Sequence, residues 1–536
     1  MVATSPEFLA KNQGDLWDSG KVASSQSLHV PYAGKPLVSL QHCVWKVCVW
    51  TQNGEAWSEP AAWTMGFLKE EEWRAKWIGA SSRSATSLES AEWIWTPEKD
   101  VGIVYPPGAR YFRWNVTLPE ARIDRARVLM TADNSFVLYV NGKRASGGNN
   151  WGVAQSIDAA PFLTSGINVL AIEAVNGGAT PSEAGLIGKL EISLADGKVV
   201  TSTLNAGVRT ATEKQNGWES VRFDGTAWKP ARVLGEYGMA PSGKPAAASG
   251  PLPLLRREFT VSKPVRRATA YIAGLGFHEL RINGAKVDNH ELEPGWTHYR
   301  KACEYSAYDV TPFLKQGPNA LGVMLGNGMY NVTGGRYTKF KGSFGDLKLI
   351  LHLRVEYSDG TTDSVVTDGS WRASAGPVVF SCIYGGEDYD ARKEIAGWDK
   401  PGFQDSAWTP VVIHAGPGGN LTTRSAPPIV IKEEFRPVKI TQPHPGIFVY
   451  DLGQNFSGWP ALSVSGPAGA KVKLITGEAM DTNGVVSQRS SGSPVWFSYT
   501  LKGAGSEAWH PRFSYSGFRY VQMEGAVPAS ETMAEQ

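Results

Sequence analysis

Four observations predict an all-β fold built as a tandem array of β-sandwiches or jelly rolls. Strand–turn alternation recurs at about ten-residue intervals. The 59 glycines and 33 prolines supply turns, and the 20 tryptophans supply bulk for packed cores. No stretch sustains a 3.6-residue apolar period. Finally, two long segments of the chain repeat one another, and this organises everything between them.

The repeat begins with residues 126–144, ARVLMTADNSFVLYVNGKR, which align without gaps on 268–286, ATAYIAGLGFHELRINGAK. Each copy reads as strand, loop, strand and an Asn-Gly tight turn (Asn141-Gly142 and Asn283-Gly284), where both residue types tolerate the positive φ of a hairpin. It continues as FLTSGINVLAIEAVNG (162–177) against FLKQGPNALGVMLGNG (313–328) and closes as GWESVRFDGTAWKP (217–230) against GWDKPGFQDSAWTP (397–410). Two copies of one sandwich, roughly 150–180 residues each, fill the middle of the chain. Trp218, Trp228, Trp398 and Trp408 recur at matching positions and are expected in cores or at domain interfaces, because what both copies share serves the fold.

Before the repeats, WDSG (17–20), HVPYAGKPL (29–37), a long strand from Leu37 to Trp50 and WSEPAAWTMGFL (57–68) read as the later strands of a further sandwich. Such a domain needs about seven strands and ~100 residues. An unpaired edge and an exposed apolar face are therefore expected there. Cys43 and Cys48 lie five apart in that strand, facing opposite sides of the sheet, and are not expected to pair. All four cysteines read as small buried apolar residues without zinc spacing. KEEEWRAKW (69–77) reads as a linker turn, and a third sandwich follows from Arg424 to Gly525.

A net charge of +2 with interspersed signs gives no electrostatic footprint for nucleic acid or an anionic membrane. No run approaches ~20 apolar residues, so no membrane span is expected. The N-terminus lacks the basic-then-apolar layout of a secretory signal.

NGAKVDNHELEPGWTHYRKACEYSAYDVTPFLKQGPNALGVMLGNGMYN (283–331), IYGGEDYDARKEIAGW (383–398) and DLGQNFSGW (451–459) occur in this order. Together they resemble the N-terminal β-domains of bacterial α-L-rhamnosidases, and the opening residues resemble the fibronectin-III-like domain of the same enzymes. The resemblance implies inverting glycosidases that remove terminal α-L-rhamnose from glycosides and polysaccharides. It divides the chain into a partial fibronectin-III-like domain (1–68), a jelly-roll rhamnose-binding-like module (69–245), a jelly-roll N-terminal domain (246–420) and a β-sandwich (421–536). In the family the last domain leads into an (α/α)6 catalytic barrel. Nothing in the sequence matches the barrel's carboxylate motifs, so no residue is nominated as catalytic. Family context points to a secreted or periplasmic location.

TADNSFVLYVNG (131–142) and VNGGATP (175–181) carry a second resemblance, to a calcium-dependent rhamnose-binding module. It implies that Asp133, Asn134, Asn176 and the Pro181 carbonyl hold Ca2+, and that Asp133, Asn134 and Asn176 also touch the sugar. Ca2+ takes six to eight oxygens of these kinds. Trp151, after GGNN, is the candidate to stack on the sugar's apolar face. The repeat supplies a control: Leu275-Gly276 replaces Asp133-Asn134, whereas Asn327-Gly328 keeps Asn176-Gly177. Ordinary turn chemistry explains Asn176 as well as ligation does. In GGEDYDAR, Glu387, Asp388, Asp390 and Arg392 invite a catalytic reading, but an Asp390–Arg392 ion pair, buried or between domains, is the simpler expectation. His278, His290, His298 and His352 read as scattered polar contacts. The functional expectation is a carbohydrate-binding accessory portion with rhamnose-containing glycans as partners. A free-standing lectin and an enzyme with its site in the sandwiches are the alternatives.

Overall fold

The structure is a computed structural model. It describes the chain except residues 81–87, 89, 99–103, 150, 195–197, 240–242, 244, 248–250, 333–335, 338–341, 491–493 and 529–536. Strands dominate, and the one α-helix among the described residues is the five-residue Pro6–Ala10. No described helix is long and apolar enough to cross a membrane.

Both repeat copies fold as expected. In the first, Ile123–Asp133 lies centrally in a seven-stranded sheet, between Gly185–Leu194 and Val153–Asp158. The chain then crosses to a six-stranded sheet through Ser135–Val140, which pairs with Gly166–Asn176. Alternating inward residues of both sheets (Val128, Met130, Phe112, Leu138, Ile172) form one buried cluster. The second copy repeats the crossing from Val265–Leu275 to Phe277–Ile282, over a core containing Ile272, Leu280, Val323 and Leu351. Both Asn-Gly turns adopt the required conformation, with φ of 51° and 83° at Asn141-Gly142 and 52° and 92° at Asn283-Gly284.

Shared residues hold the two folds in the same way. Trp218 and Trp228 stack with ring centroids 6.2 Å apart, and so do Trp398 and Trp408. Arg113 reaches the carbonyls of Trp218, Ser220 and Phe223, while Arg256 reaches those of Trp398, Lys400 and Phe403. Each guanidinium also lies over a phenylalanine ring, at 5.0 Å from Phe223 and 5.1 Å from Phe403. A guanidinium suits this position because its five donors satisfy loop carbonyls that burial would otherwise leave without partners.

Four features differ from the sequence expectation. The strand Leu37–Trp50 is broken: His42–Trp45 pairs with Val2–Ala3 and Ala61–Thr64, while Cys48–Thr51 forms a separate hairpin with Gly54–Trp57. Cys43 and Cys48 thus belong to different sheets. Both are free, and Cys48 is only half-buried. Trp77–Ala80, placed by sequence with the first copy, hydrogen-bonds between Lys348–Tyr357 and Thr409–His414 of the second. Val378–Cys382 and Gly386–Asp390, placed by sequence in the second copy, are strands of the C-terminal seven-stranded sheet. In the last two cases a strand satisfies its backbone on a neighbouring sheet rather than presenting a free edge.

One apolar cluster runs from the second copy (Leu254, Met324, Trp398) into the C-terminal sandwich (Val472, Phe497, Phe518), so these two units share a core. The N-terminal segment packs on the second copy through Phe67 and Trp73, whose rings meet Tyr271, Tyr305 and His352. Its hairpin leaves Val49, Trp50 and Trp57 exposed, and Trp45 of the neighbouring strand is exposed as well.

Candidate functional site

The sites singled out in the first copy converge at one end of its sandwich, where the chain passes between sheets. A single residue makes each passage: Asn134 separates Ile123–Asp133 from Ser135–Val140, and Gly276 separates Val265–Leu275 from Phe277–Ile282. In the second copy the passage is sealed. Leu275 is fully buried with Tyr299, Cys303 and Tyr330, and Gly276 takes φ +102°, where an added Cβ would overlap the Gly326 carbonyl. In the first copy the same place is polar and open. Asp133 is half-buried and Asn134 is exposed.

No hydrogen bond or ion pair among the described residues engages the Asp133 carboxylate. Burial pushes it above the usual carboxylate range, and the nearby Glu183 carboxylate adds to the push. Asn134 is fastened across the passage: its N–H donates to the Val175 carbonyl at 2.7 Å, and its Oδ1 accepts from the Gly177 N–H at 2.5 Å. Register places Asp133 opposite Gly185 and Ser135 opposite Val175, so the loop 177–184 lies beside the passage. Pro181 is exposed in that loop.

Asn176 has a different setting. It is buried, its Nδ2 donates to the Tyr105 carbonyl at 2.8 Å and to the Ser182 carbonyl at 3.3 Å, and its Oδ1 accepts from the Ser182 hydroxyl at 2.9 Å. Asn327 is employed similarly in the second copy, donating to the Ser381 carbonyl at 2.7 Å and accepting from Asn331 at 3.1 Å. The asparagine shared by both copies thus ties loops together. Trp151 is 41% exposed, and its carbonyl accepts from the Thr131 hydroxyl at 3.1 Å, two residues before Asp133.

Sequence reasoning missed Glu183. It pairs with Val104 in a short two-stranded ribbon and brings a second carboxylate to the Asp133 end of the sandwich. Its only sequence signal is its position two residues after Pro181. Together Asp133, Glu183, the Asn134 amide and the Pro181 carbonyl are hard oxygen donors of the kind that Ca2+ takes, and the Asp133 carboxylate has no hydrogen-bond or ion-pair partner among the described residues. Among the described residues, no group of three or more His, Cys, Asp and Glu side chains is placed to hold a metal. Any cation here would therefore depend on amide and backbone oxygens.

The acidic motif 386–392 is structural. Glu387 is fully buried and accepts the backbone N–H groups of Arg512 and Phe513 at 3.1 and 3.0 Å, and burial pushes its carboxyl up to about 7. Asp388 is held by Arg336 and Ser498. The expected Asp390–Arg392 pair forms, with two contacts of 2.9 Å, and Asp390 also caps the turn Ala391–Lys393. Asp390 is buried, whereas the Arg392 side chain is 52% exposed, so the pair is half-buried. Among the histidines, His278 departs from the expected polar contact. Neither ring nitrogen has a partner, and burial lowers its pKa to about 4.

Comparison with known proteins places these features in a family. Residues 263–433 match the α-L-rhamnosidase N-terminal domain, residues 441–536 the bacterial α-L-rhamnosidase concanavalin-like domain, and residues 1–69 the Rha78A-like N-terminal immunoglobulin domain. An α-L-rhamnosidase of Streptomyces avermitilis is 37% identical over 528 residues, which is 95% of this chain and 50% of that protein. One from Formosa agariphila is 27% identical over 98% of this chain and 42% of its own length. The crystal structure of the Streptomyces avermitilis α-L-rhamnosidase complexed with L-rhamnose superposes with a TM-score of 0.81, covering 99% of this chain and 52% of that one. The α-L-rhamnosidase from Dictyoglumus thermophilum superposes with a TM-score of 0.62 at 27% identity, over 99% of this chain and 43% of that one. The chain spans about half the length of the curated relatives that it matches. In their order and fold, these β-domains are those that α-L-rhamnosidases carry over about half of their length.

Proposed function

We propose that this chain is the carbohydrate-binding portion of an α-L-rhamnosidase, and that the Asp133–Asn134 passage binds L-rhamnose together with Ca2+. The observation that carries the proposal is the contrast at one structural position. A half-buried carboxylate with no partner among the described residues stands in the first copy, where the second copy has a fully buried leucine. The fold does not need an acid there, so the acid serves something else.

Asp133, Asn134 and the Pro181 carbonyl would hold the cation, and Glu183 would add charge. Bound Ca2+ supplies an electrophilic centre at which a vicinal diol of the sugar replaces water. The remaining side-chain oxygens accept hydroxyl protons, and the Asp133 carboxylate, when it ligates the cation, accepts the strongest of these bonds. Asn176 acts one step back, holding the Tyr105 and Ser182 backbones that shape the loop. Trp151 offers its exposed ring to the apolar face of the sugar. Hydrolysis belongs to a catalytic portion that the relatives' greater length accommodates. Tethering raises the local concentration of rhamnose-bearing glycan around that portion without touching its chemistry.

Calorimetry tests this directly. L-Rhamnose should bind with an affinity of order 0.1–1 mM in the presence of Ca2+ and lose it under chelation. Asp133→Ala should lose both ligands. The double variant Asp133→Leu with Asn134→Gly, which copies the second repeat, should keep the far-ultraviolet spectrum and lose the sugar. Unchanged rhamnose affinity in that variant would sink the site.

A further inference from the structure

The second copy keeps a cleft at the end of its sandwich where the first copy carries Asp133 and Asn134. The equivalence follows from register. Asp158 stands opposite Arg127 and Asp309 opposite Thr269, so Val153–Asp158 and Ala302–Asp309 are the same strand of the repeat. Asp133 stands opposite Gly185 and Leu275 opposite Lys348, so Gly185–Leu194 and Lys348–Tyr357 correspond too. In the first copy the loops entering these two strands bring Trp151 on one side and Pro181 with Glu183 on the other. In the second they bring Trp296, His298 and Arg300 on one side and Phe344 on the other, around a cleft of about 600 Å3. That volume lies within the ~300–1,000 Å3 of small-molecule sites.

The rings that seal Leu275 continue outward into this cleft. Tyr299 and Tyr330 are buried and meet edge to face at 5.0 Å, and Phe344 packs on them at 5.2 and 5.9 Å. Phe344 is fixed by its backbone, whose N–H donates to the Tyr330 carbonyl at 2.9 Å and whose carbonyl accepts from the Tyr330 hydroxyl at 3.1 Å. Thr297 pins the other loop by donating its hydroxyl to the Ala302 carbonyl at 2.7 Å. Trp296 is nevertheless 63% exposed and Phe344 54% exposed. Apolar rings held toward solvent at a cleft mark a binding surface. His298 and Arg300 are exposed beside them. Among the described residues no hydrogen bond or ion pair engages either of these side chains, and no carboxylate lines the cleft.

We propose that this cleft binds a pyranose ring without calcium. The apolar C–H face of the sugar stacks on Trp296, and its hydroxyl oxygens accept from Arg300 and His298. The cleft offers rings and donors, and it lacks the carboxylate oxygens that a bound Ca2+ draws on. The choice of this end of the sandwich rests on reading the first passage as a sugar site, whereas the exposed rings and free donors stand without it.

The test uses the full chain carrying Asp133→Leu and Asn134→Gly, with chelator present, so that the first passage is silent and either site can fail alone. Methyl β-D-glucopyranoside and methyl β-D-galactopyranoside are titrated by saturation-transfer NMR, with sorbitol, which has the hydroxyls but no ring, as control. Both pyranosides should bind with an affinity of order 1–10 mM and take up saturation most strongly at the C–H protons of one ring face. Sorbitol should take up none. Trp296→Leu keeps apolar bulk without a ring and should weaken binding at least about tenfold at unchanged melting temperature, while Trp296→Tyr should retain most of it. Absence of transfer to both pyranosides, equal transfer to sorbitol, or indifference to Trp296→Leu would each overturn the assignment. So would self-association in sedimentation that Trp296→Leu abolishes in the absence of pyranoside binding, since the rings would then belong to a contact with a second copy of the chain.

Discussion

The two central sandwiches are one fold put to two uses, and their differences are confined. Turns, tryptophan pairs and arginine–carbonyl clamps recur in both; for example, Asn141 lies 2.8 Å from Asn168 and Asn283 lies 2.8 Å from Asn319. The copies part at the passage between sheets, where Asp133-Asn134 faces solvent and Leu275-Gly276 is sealed under aromatic rings. They part again in what they share with neighbours, since only the second has a core continuous with the C-terminal sandwich. Duplication therefore separates what the fold demands from what a site demands, within a single chain.

Exchanging the passages in the unfavourable direction should have the largest effect. Leu275→Asp would bury a carboxylate among Tyr299, Cys303 and Tyr330 with no cation at hand. A loss of about 4 kcal/mol or more is expected, seen as accelerated amide exchange in Val265–Leu275 and Phe277–Ile282. The reverse change, Asp133→Leu, removes a partnerless acid and should move the same readout in the first copy by less than about 1 kcal/mol. Equal effects would mean that both passages are structural.

A second difference concerns the core shared with the C-terminal sandwich. Glu387 is buried at that junction with its carboxyl pushed up to about 7, above the ordinary value of 4.5. A raised acid stabilises the fold fully below the ordinary value and loses that contribution as pH climbs through about 7. By that difference in proton affinity, roughly 3 kcal/mol of stability falls away between about pH 4.5 and 7. Glu387→Gln keeps an acceptor for the Arg512 and Phe513 N–H groups and cannot ionise. Wild type minus variant stability, from urea melts of the C-terminal sandwich at several pH values, should therefore decline across that window. A flat difference would show that Glu387 titrates in the folded protein as it does in the unfolded chain.

Much of this was legible in the sequence, and what was not shares one cause. Asn-Gly turns, alternating strands and paired tryptophans are local signals whose physics acts within a few residues. The substitution of Asp133-Asn134 by Leu275-Gly276 was legible because the repeat supplied its own control. Strand exchange was not. Ile78 pairs with Leu349 and Ala80 with Val411, and no local pattern names a partner so distant in sequence. Glu183 and the arginine clamps were hidden for the same reason, since each acts on residues far along the chain. The break between Cys43 and Cys48 escaped because its residues, Lys46 and Val47, carry no turn signal.

The smallest effect offers the sharpest check of equivalence. Asn141 donates to the Phe162 carbonyl at 2.9 Å and to Asn168 at 2.8 Å, and accepts the Val169 N–H at 2.9 Å. Asn283 makes the same three bonds, to the Phe313 carbonyl at 2.9 Å, to Asn319 at 2.8 Å and from the Ala320 N–H at 2.9 Å. Both hold positive φ, which asparagine and glycine tolerate and alanine resists. Alanine at either position should cost about 2 kcal/mol, combining lost hydrogen bonds with backbone strain. Glycine removes only the strain, so it should cost about 1 kcal/mol. Amide exchange at Val169 and Ala320 reads each turn separately. If the alanine-to-glycine difference agrees between copies, the turns are interchangeable parts of one fold. If only one copy responds, the turn in the other is held by something outside the repeat, and the division between shared fold and private site would need to be redrawn at that end of the sandwich.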